Sequence, residues 1–205
     1  MNRWRLRPLL WLLAALGTLP VAAQTLVAHD QARIGHGAAA GLDGRAAINQ
    51  ASGIGNVQAN LAAIALAEGG QGRFDLQARQ HAQGGDRQRS ASARIDGHAF
   101  ADASGVLSLN QAAGSGNAQL NLFAIGHGDA MAAAGLIAGL DDTALAAVAG
   151  DNRTEGAGSA PLVRTATIGP DAFRGSQGVV QVNQTAGVGN ASVNAIVLQL
   201  PGGAL

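Results

Sequence analysis

One thirteen-residue phrase is written three times in this chain, at positions 48–60, 109–121 and 182–194. Asn49, Asn110 and Asn183 head the copies, and Gln50, Gln111 and Gln184 follow them. Next comes a Gly-x-Gly-Asn turn, built on Gly53, Gly55 and Asn56, on Gly114, Gly116 and Asn117, and on Gly187, Gly189 and Asn190. Asn60, Asn121 and Asn194 close the phrase, with Gln58 and Gln119 two residues earlier in the first two copies. A repeat of this kind constrains the fold more than any local propensity. A single short unit cannot bury its own faces, so copies must stack on one another.

The agreement extends without a gap over about 35 residues, giving repeats at 32–66, 93–127 and 166–201. Ile34, Ile95 and Ile168 coincide, as do Ala38, Ala99 and Ala172, and Phe100 with Phe173. Gly44, Gly105 and Gly178 precede the phrase. Successive copies begin 61 and then 73 residues apart, so the spacers at 67–92 and 128–165 differ by twelve residues. Fixed units with variable spacers place the spacers outside the stacked part.

Within a unit the period is two. Leu107, Leu109 and Gln111 alternate with Ser108 and Asn110, and Asn117, Gln119 and Asn121 alternate with Ala118, Leu120 and Leu122. This is the periodicity of strands. The glycines and asparagine between them tolerate positive φ and make an arch. Alternation at 90–95 and 162–168 predicts a further strand ahead of each phrase. The expected fold is therefore all-β, a β-solenoid-like stack of three strand–arch–strand repeats with long spacers. In the spacers, 71–90 reads as a polar loop with a short strand at 74–78, 129–149 as an Ala- and Leu-rich helical excursion, and 151–160 as a loop.

The first 23 residues read as a secretory signal peptide, with Arg3, Arg5 and Arg7, an apolar run at 9–16 and a small-residue site at Val21-Ala22-Ala23. The apolar run is far shorter than the roughly 20 residues of a spanning helix, so no integral membrane segment is expected after cleavage. Residues 24–205 then form a single repeat domain with ten arginines, no lysine and thirteen acidic residues. That balance offers no basic stripe for nucleic acid. With no cysteine there is neither a disulfide nor a thiolate metal site. Val, Ile, Leu, Met and Phe make up only about 41 of these residues, near the ~20 % level at which chains tend toward disorder. Something other than bulky side chains must hold the fold.

Amide side chains at matching heights can do so. In stacked units each Asn or Gln donates to the copy on one side and accepts from the copy on the other, while the backbone pairs along the same axis. The ladder positions are Asn49, Asn110 and Asn183; Gln50, Gln111 and Gln184; Asn56, Asn117 and Asn190; Gln58 and Gln119; and Asn60, Asn121 and Asn194. The phrases carry no charge to blunt the outermost edges, so the leading expectation is self-association. An enzyme is the first rival, but Asp141-Asp142 is the one paired carboxylate; it lies in a spacer, and no acidic position recurs in the units. His29, His36, His81, His98 and His127 show no ligand spacing. No catalytic residue, metal or cofactor is expected. A monomeric surface adhesin binding a glycan or protein through its spacers is the alternative.

The pattern of an aliphatic residue, Asn, a small stretch and Gly-x-Gly-Asn-x-Gln-x-Asn resembles the repeats of the Fap-type functional amyloid subunits of Gram-negative bacteria, and more loosely those of curli. The resemblance implies a secreted, extracellular or cell-surface fibre component that passes through the periplasm and an outer-membrane export machinery, associates with itself and other fibre subunits, and supports adhesion and biofilm. Main fibre subunits of that family carry a Cys-x-x-Cys near the C-terminus, which this chain lacks. The resemblance therefore points to a minor, nucleating or related adhesin-like component.

Overall fold

The computed structural model describes residues 27–67, 73–75, 80, 82, 88–128, 131–133 and 161–200. The leader at 1–23, Asp141-Asp142 and the loop at 151–160 lie outside these residues.

Each repeat supplies three strands to one layer. The first layer contains β1 (Ala28–Ile34), β2 (Asp43–Ser52) and β3 (Val57–Ala67). After a three-residue strand β4 (Arg73–Asp75), the second layer contains β5 (Arg89–Ile95), β6 (Ser104–Ser115) and β7 (Ala118–Gly128). A three-residue strand β8 (Met131–Ala133) precedes the third layer, β9 (Arg164–Ile168), β10 (Gln177–Val188) and β11 (Ala191–Leu200). Among the described residues there is no helix. Equivalent strands pair in parallel across layers to give three sheets, β1-β5-β9, β2-β6-β10 and β3-β7-β11, with the second layer always in the middle. The result is an all-β, solenoid-like stack.

Register follows the repeat. Asn49, Asn110 and Asn183 stand opposite one another, as do Gln50, Gln111 and Gln184, and Asn60, Asn121 and Asn194. A slip of one residue would turn every side chain to the wrong face, and identical residues would no longer meet.

The two contacts between sheets differ in chemistry. Leu107 and Leu109 of β6 pack toward β5, where Ile34, Ile95, Ala99, Phe100 and Ala103 complete a small apolar core. The opposite face of β6 meets β7 through amides, as the bond between Asn110 and Asn121 shows. Apolar side chains thus form one seam and polar ladders the other, which is how a chain poor in bulky residues closes its interior.

The turns are stacked as well. At 96–103 and its equivalents, Phe100 N–H donates to Ala38 O and Phe173 N–H to Ala99 O, each at 2.8 Å. This path requires the left-handed region, and Phe100 and Phe173 sit there at φ 58° and 61°, a conformation that costs of order 1–3 kcal/mol for a residue with a side chain. Their rings compensate by stacking across layers, 5.2 Å apart and 9° from parallel.

Of the short strand expected at 74–78, Phe74 and Asp75 lie in β4, which begins one residue earlier, and 76–78 lie outside the described residues. The helical excursion expected at 129–149 lies largely outside the described residues. Its described part is not helix: Met131–Ala133 is strand β8, paired in parallel with β4 beside the β3-β7-β11 sheet. Pairing with β4 outweighs the local helix preference of Ala and Met in these three residues.

Candidate functional site

The repeated amides converge on the seam between β2-β6-β10 and β3-β7-β11. Asn110 Nδ2 donates to Asn49 Oδ1 at 2.9 Å, and Asn183 Nδ2 donates to Asn110 Oδ1 at 3.0 Å. Facing them, Asn121 donates to Asn60 at 2.9 Å and Asn194 to Asn121 at 3.0 Å. The two columns are cross-linked inside each layer by Asn60 to Asn49, Asn121 to Asn110 and Asn194 to Asn183, at 2.9, 3.0 and 2.9 Å. They form one double ladder in which every Oδ1 of the middle layer accepts and every Nδ2 donates.

Main-chain carbonyls fix which end of each amide is nitrogen. Asn60, Asn121 and Asn194 also donate to Ile48 O, Leu109 O and Val182 O, while Asn110 and Asn183 donate to Ala59 O and Leu120 O. A carbonyl cannot donate, so the Nδ2 assignment follows.

Gln50, Gln111 and Gln184 form a second column on the other side of β6. Gln111 donates to Gln50 Oε1 at 2.7 Å and Gln184 to Gln111 Oε1 at 2.8 Å. Each also reaches across to the first strand of its own layer, at Arg33 O, Arg94 O and Thr167 O. The arch carries a third column, in which Asn117 donates to Asn56 Oδ1 and Asn190 to Asn117 Oδ1, both at 2.8 Å.

The remaining pair behaves differently. Gln58 donates to Gln119 Oε1 at 2.7 Å, against the direction of the other columns, and Gln119 then donates to Thr185 Oγ1 at 3.2 Å. The third layer has Ser192 here, and its hydroxyl turns to Asn183 Oδ1. This column stops at two glutamines.

The arch glycines have two tasks. Gly55, Gly116 and Gly189 turn the chain at φ 68°, 65° and 68°. Gly53 and Gly114 permit contact between layers, because a Cβ on either would lie 1.9 Å from the carbonyl oxygen of Gly114 or Gly187 above it. The glycines ahead of the phrase act in the same way: a Cβ on Gly105 would lie 2.1 Å from Gly44 O, and one on Gly178 2.2 Å from Gly105 O. The sequence shows these as recurring, but only the backbone distances give the reason.

Two ion-pair clusters escape sequence reading because their carboxylates, Asp30 and Asp96, do not recur at equivalent positions. Asp30, 5 % exposed, takes a two-pronged contact from Arg89 of the next layer, both bonds at 2.6 Å. Asp96 accepts from Arg94 in its own layer and from Arg33 in the first, at 2.5 and 2.7 Å. Hydrogen bonds from Arg94 and Arg33 hold the Asp96 carboxyl below the usual carboxylate range.

Burial separates the layers. Asn110, Gln111, Asn117, Gln119 and Asn121 are all 0 % exposed. Their counterparts Gln50, Asn56, Gln58, Asn60, Gln184, Asn190 and Asn194 are half-buried, Asn49 is exposed, and Asn183 alone among the outer ladder residues is buried. The outer layers carry the same chemistry as the middle one but have a neighbour on one side only.

No solved structure matches the chain. A family model described as the functional amyloid protein FapB/FapC family matches residues 18–201. Three in-register layers joined by side-chain amide ladders agree with that assignment, and the chain belongs to the functional amyloid protein FapB/FapC family, a structural family of amyloid fibre components.

Proposed function

We propose that this protein is exported to the cell surface of a Gram-negative bacterium, where it serves as a subunit, nucleator or minor component of an amyloid-type fibre that supports adhesion and biofilm. The observation that carries the reading is the burial gradient: ladder residues 0 % exposed in the middle layer have half-buried or exposed equivalents on both outer layers, except Asn183. An outer layer gains the middle layer's environment when another copy covers it. Each amide bond then formed is worth about 1 kcal/mol, added to the backbone ladder of three strands. The self-assembly role falls on the amides of the double ladder and the Gln50 and Asn56 columns. Family membership supports association with other fibre subunits, and the export reading rests on the basic and apolar leader.

X-ray diffraction from aligned material, after quiescent incubation of the purified protein, tests the reading. A meridional reflection near ~4.7 Å is expected from strands stacked along a fibre axis. Replacing Asn49, Asn110 and Asn183 together by Ala should slow fibre growth. A protein that stays monomeric even when seeded would overturn the fibre reading in favour of a monomeric adhesin, and unchanged growth of the triple variant would remove the amides from the assembly step.

A further inference from the structure

The two outer faces of the stack are different, and they are complementary. In the double ladder and the Gln50 column every donation between layers runs from the later layer to the earlier one. The first layer therefore turns amide nitrogens outward, those of Asn49, Asn60 and Gln50. The third layer turns amide oxygens outward. Among the described residues, Asn194 Oδ1 and Gln184 Oε1 accept from no further layer.

Charge follows the same polarity. Asp30 and Arg164 both stand opposite Ala91, one from each side, so they occupy the same position of the repeat in the first and third layers. Both reach the first glycine of the arch: Asp30 Oδ2 lies 2.9 Å from where a Cβ of Gly53 would sit, and Arg164 Cδ 3.3 Å from the corresponding point on Gly187. Stacking the third layer of one copy on the first layer of the next brings Arg164 over Asp30 at one strand spacing, about 4.8 Å. Asp30 is then held between its own Arg89 and the incoming Arg164. The protein already contains this arrangement, since Asp96 is held between Arg94 and Arg33.

Shape agrees. A Cβ on Gly44 would meet nothing within 4 Å, so the outer face of the first layer is open where Gly105 and Gly178 close on the layers beneath them. A face-to-face contact of two third layers would set oxygen acceptors against oxygen acceptors and leave Arg164 without Asp30.

Resting on the fibre reading above, we infer that copies of this chain join head to tail, third layer onto first, through an intermolecular Arg164–Asp30 ion pair and continuation of the amide columns. Such a heterologous contact does not close, so it builds a filament with two chemically different ends. One end presents the strand of Asp30 and amide nitrogens, and the other presents Arg164 and amide oxygens.

Arg164 is exposed, and circular dichroism of the Arg164→Glu monomer, compared with that of Arg164→Lys, checks that the fold is kept. This variant keeps a normal first layer but presents a carboxylate where Asp30 of the next copy must sit. Growth of single fibres from wild-type seeds, followed at both ends by fluorescence microscopy, reads the effect. Arg164→Glu alone should elongate on the order of tenfold more slowly than wild type, while Arg164→Lys grows at close to the wild-type rate. Added in small amounts to wild-type protein, Arg164→Glu should stop one end of each fibre and leave the other growing. Wild-type growth rates for Arg164→Glu, or arrest of both ends alike, would overturn the head-to-tail contact while leaving the fibre reading in place. Absence of any wild-type fibre would overturn both.

Discussion

Asn121 Nδ2 lies 3.0 Å from Asn110 Oδ1, and both side chains are 0 % exposed. Neither residue is in an apolar environment, and neither is free to reach water. The pair sits where the two amide columns cross in the middle layer, so each side chain is held by its own layer and by the layers on either side.

Removing one member leaves several groups without partners. Asn110 donates to Asn49, Asn60 and Ala59 O and accepts from Asn121 and Asn183. Asn110→Ala is expected to cost about 3 kcal/mol, given the penalty for stranded buried polar groups. Asn49→Ala, at the exposed end of the same column, should cost less than about 1 kcal/mol. Urea denaturation of the soluble monomers measures both.

Gly114 and Gly44 separate backbone strain from interlayer contact. Both have positive φ, 112° and 101°, but a Cβ on Gly114 would lie 1.9 Å from Gly187 O whereas one on Gly44 meets nothing within 4 Å. Gly44→Ala should lose only the conformational cost, about 1–2 kcal/mol. Gly114→Ala must also push two layers apart and should lose more than about 3 kcal/mol. Thermal melts of the two variants under identical conditions provide the comparison.

Phe100 is 1 % exposed and stacks on Phe173. Phe100→Ala should destabilise the protein by about 3–5 kcal/mol. Because the ring joins the second and third layers, hydrogen exchange should quicken first at Gly169, Phe173 and Gln177, whose N–H groups donate to Ile95 O, Ala99 O and Ala103 O.

Asp96 gives the stack a pH dependence with a defined sign. Its carboxyl titrates below the ordinary value because Arg94 and Arg33 stabilise the charged form. The stability it adds is present above the unfolded-state value of about 3.9 and is lost as pH falls through the lower folded-state value. The advantage of wild type over Asp96→Asn should therefore be steady at neutral pH and vanish in strong acid. It should also shrink in high salt, since the Arg33 and Arg94 side chains are 60 % and 59 % exposed. Denaturation curves across pH, at two salt concentrations, check both statements.

Much of this architecture is legible from the sequence because the repeat carries its own register. Once Asn49, Asn110 and Asn183 are aligned, the strand partners and the facing amides follow from equal offsets. The strand ahead of each phrase is visible in the alternation around Ile34, Ile95 and Ile168. Contacts between unlike positions are not legible. Arg89 stands opposite Ala28 in register yet reaches Asp30, so comparing like with like conceals the pair. The reversed Gln58–Gln119 bond depends on Thr185, which has no counterpart in the other copies. Strand β8 lies in an Ala-rich run whose local preference is helical, and its pairing with β4 is a tertiary effect that periodicity over three residues cannot register.

Ser192 interrupts a column that Gln58 and Gln119 begin, so the three layers are close copies but not equivalent ones. In a filament of whole chains the true translational period is then one molecule, three strand spacings or about 14 Å. The strong reflection from stacked backbones reports the subcell alone. A faint satellite near ~14 Å, scattered by the few positions where serine replaces glutamine or arginine replaces aspartate, would count molecules along the axis instead of strands.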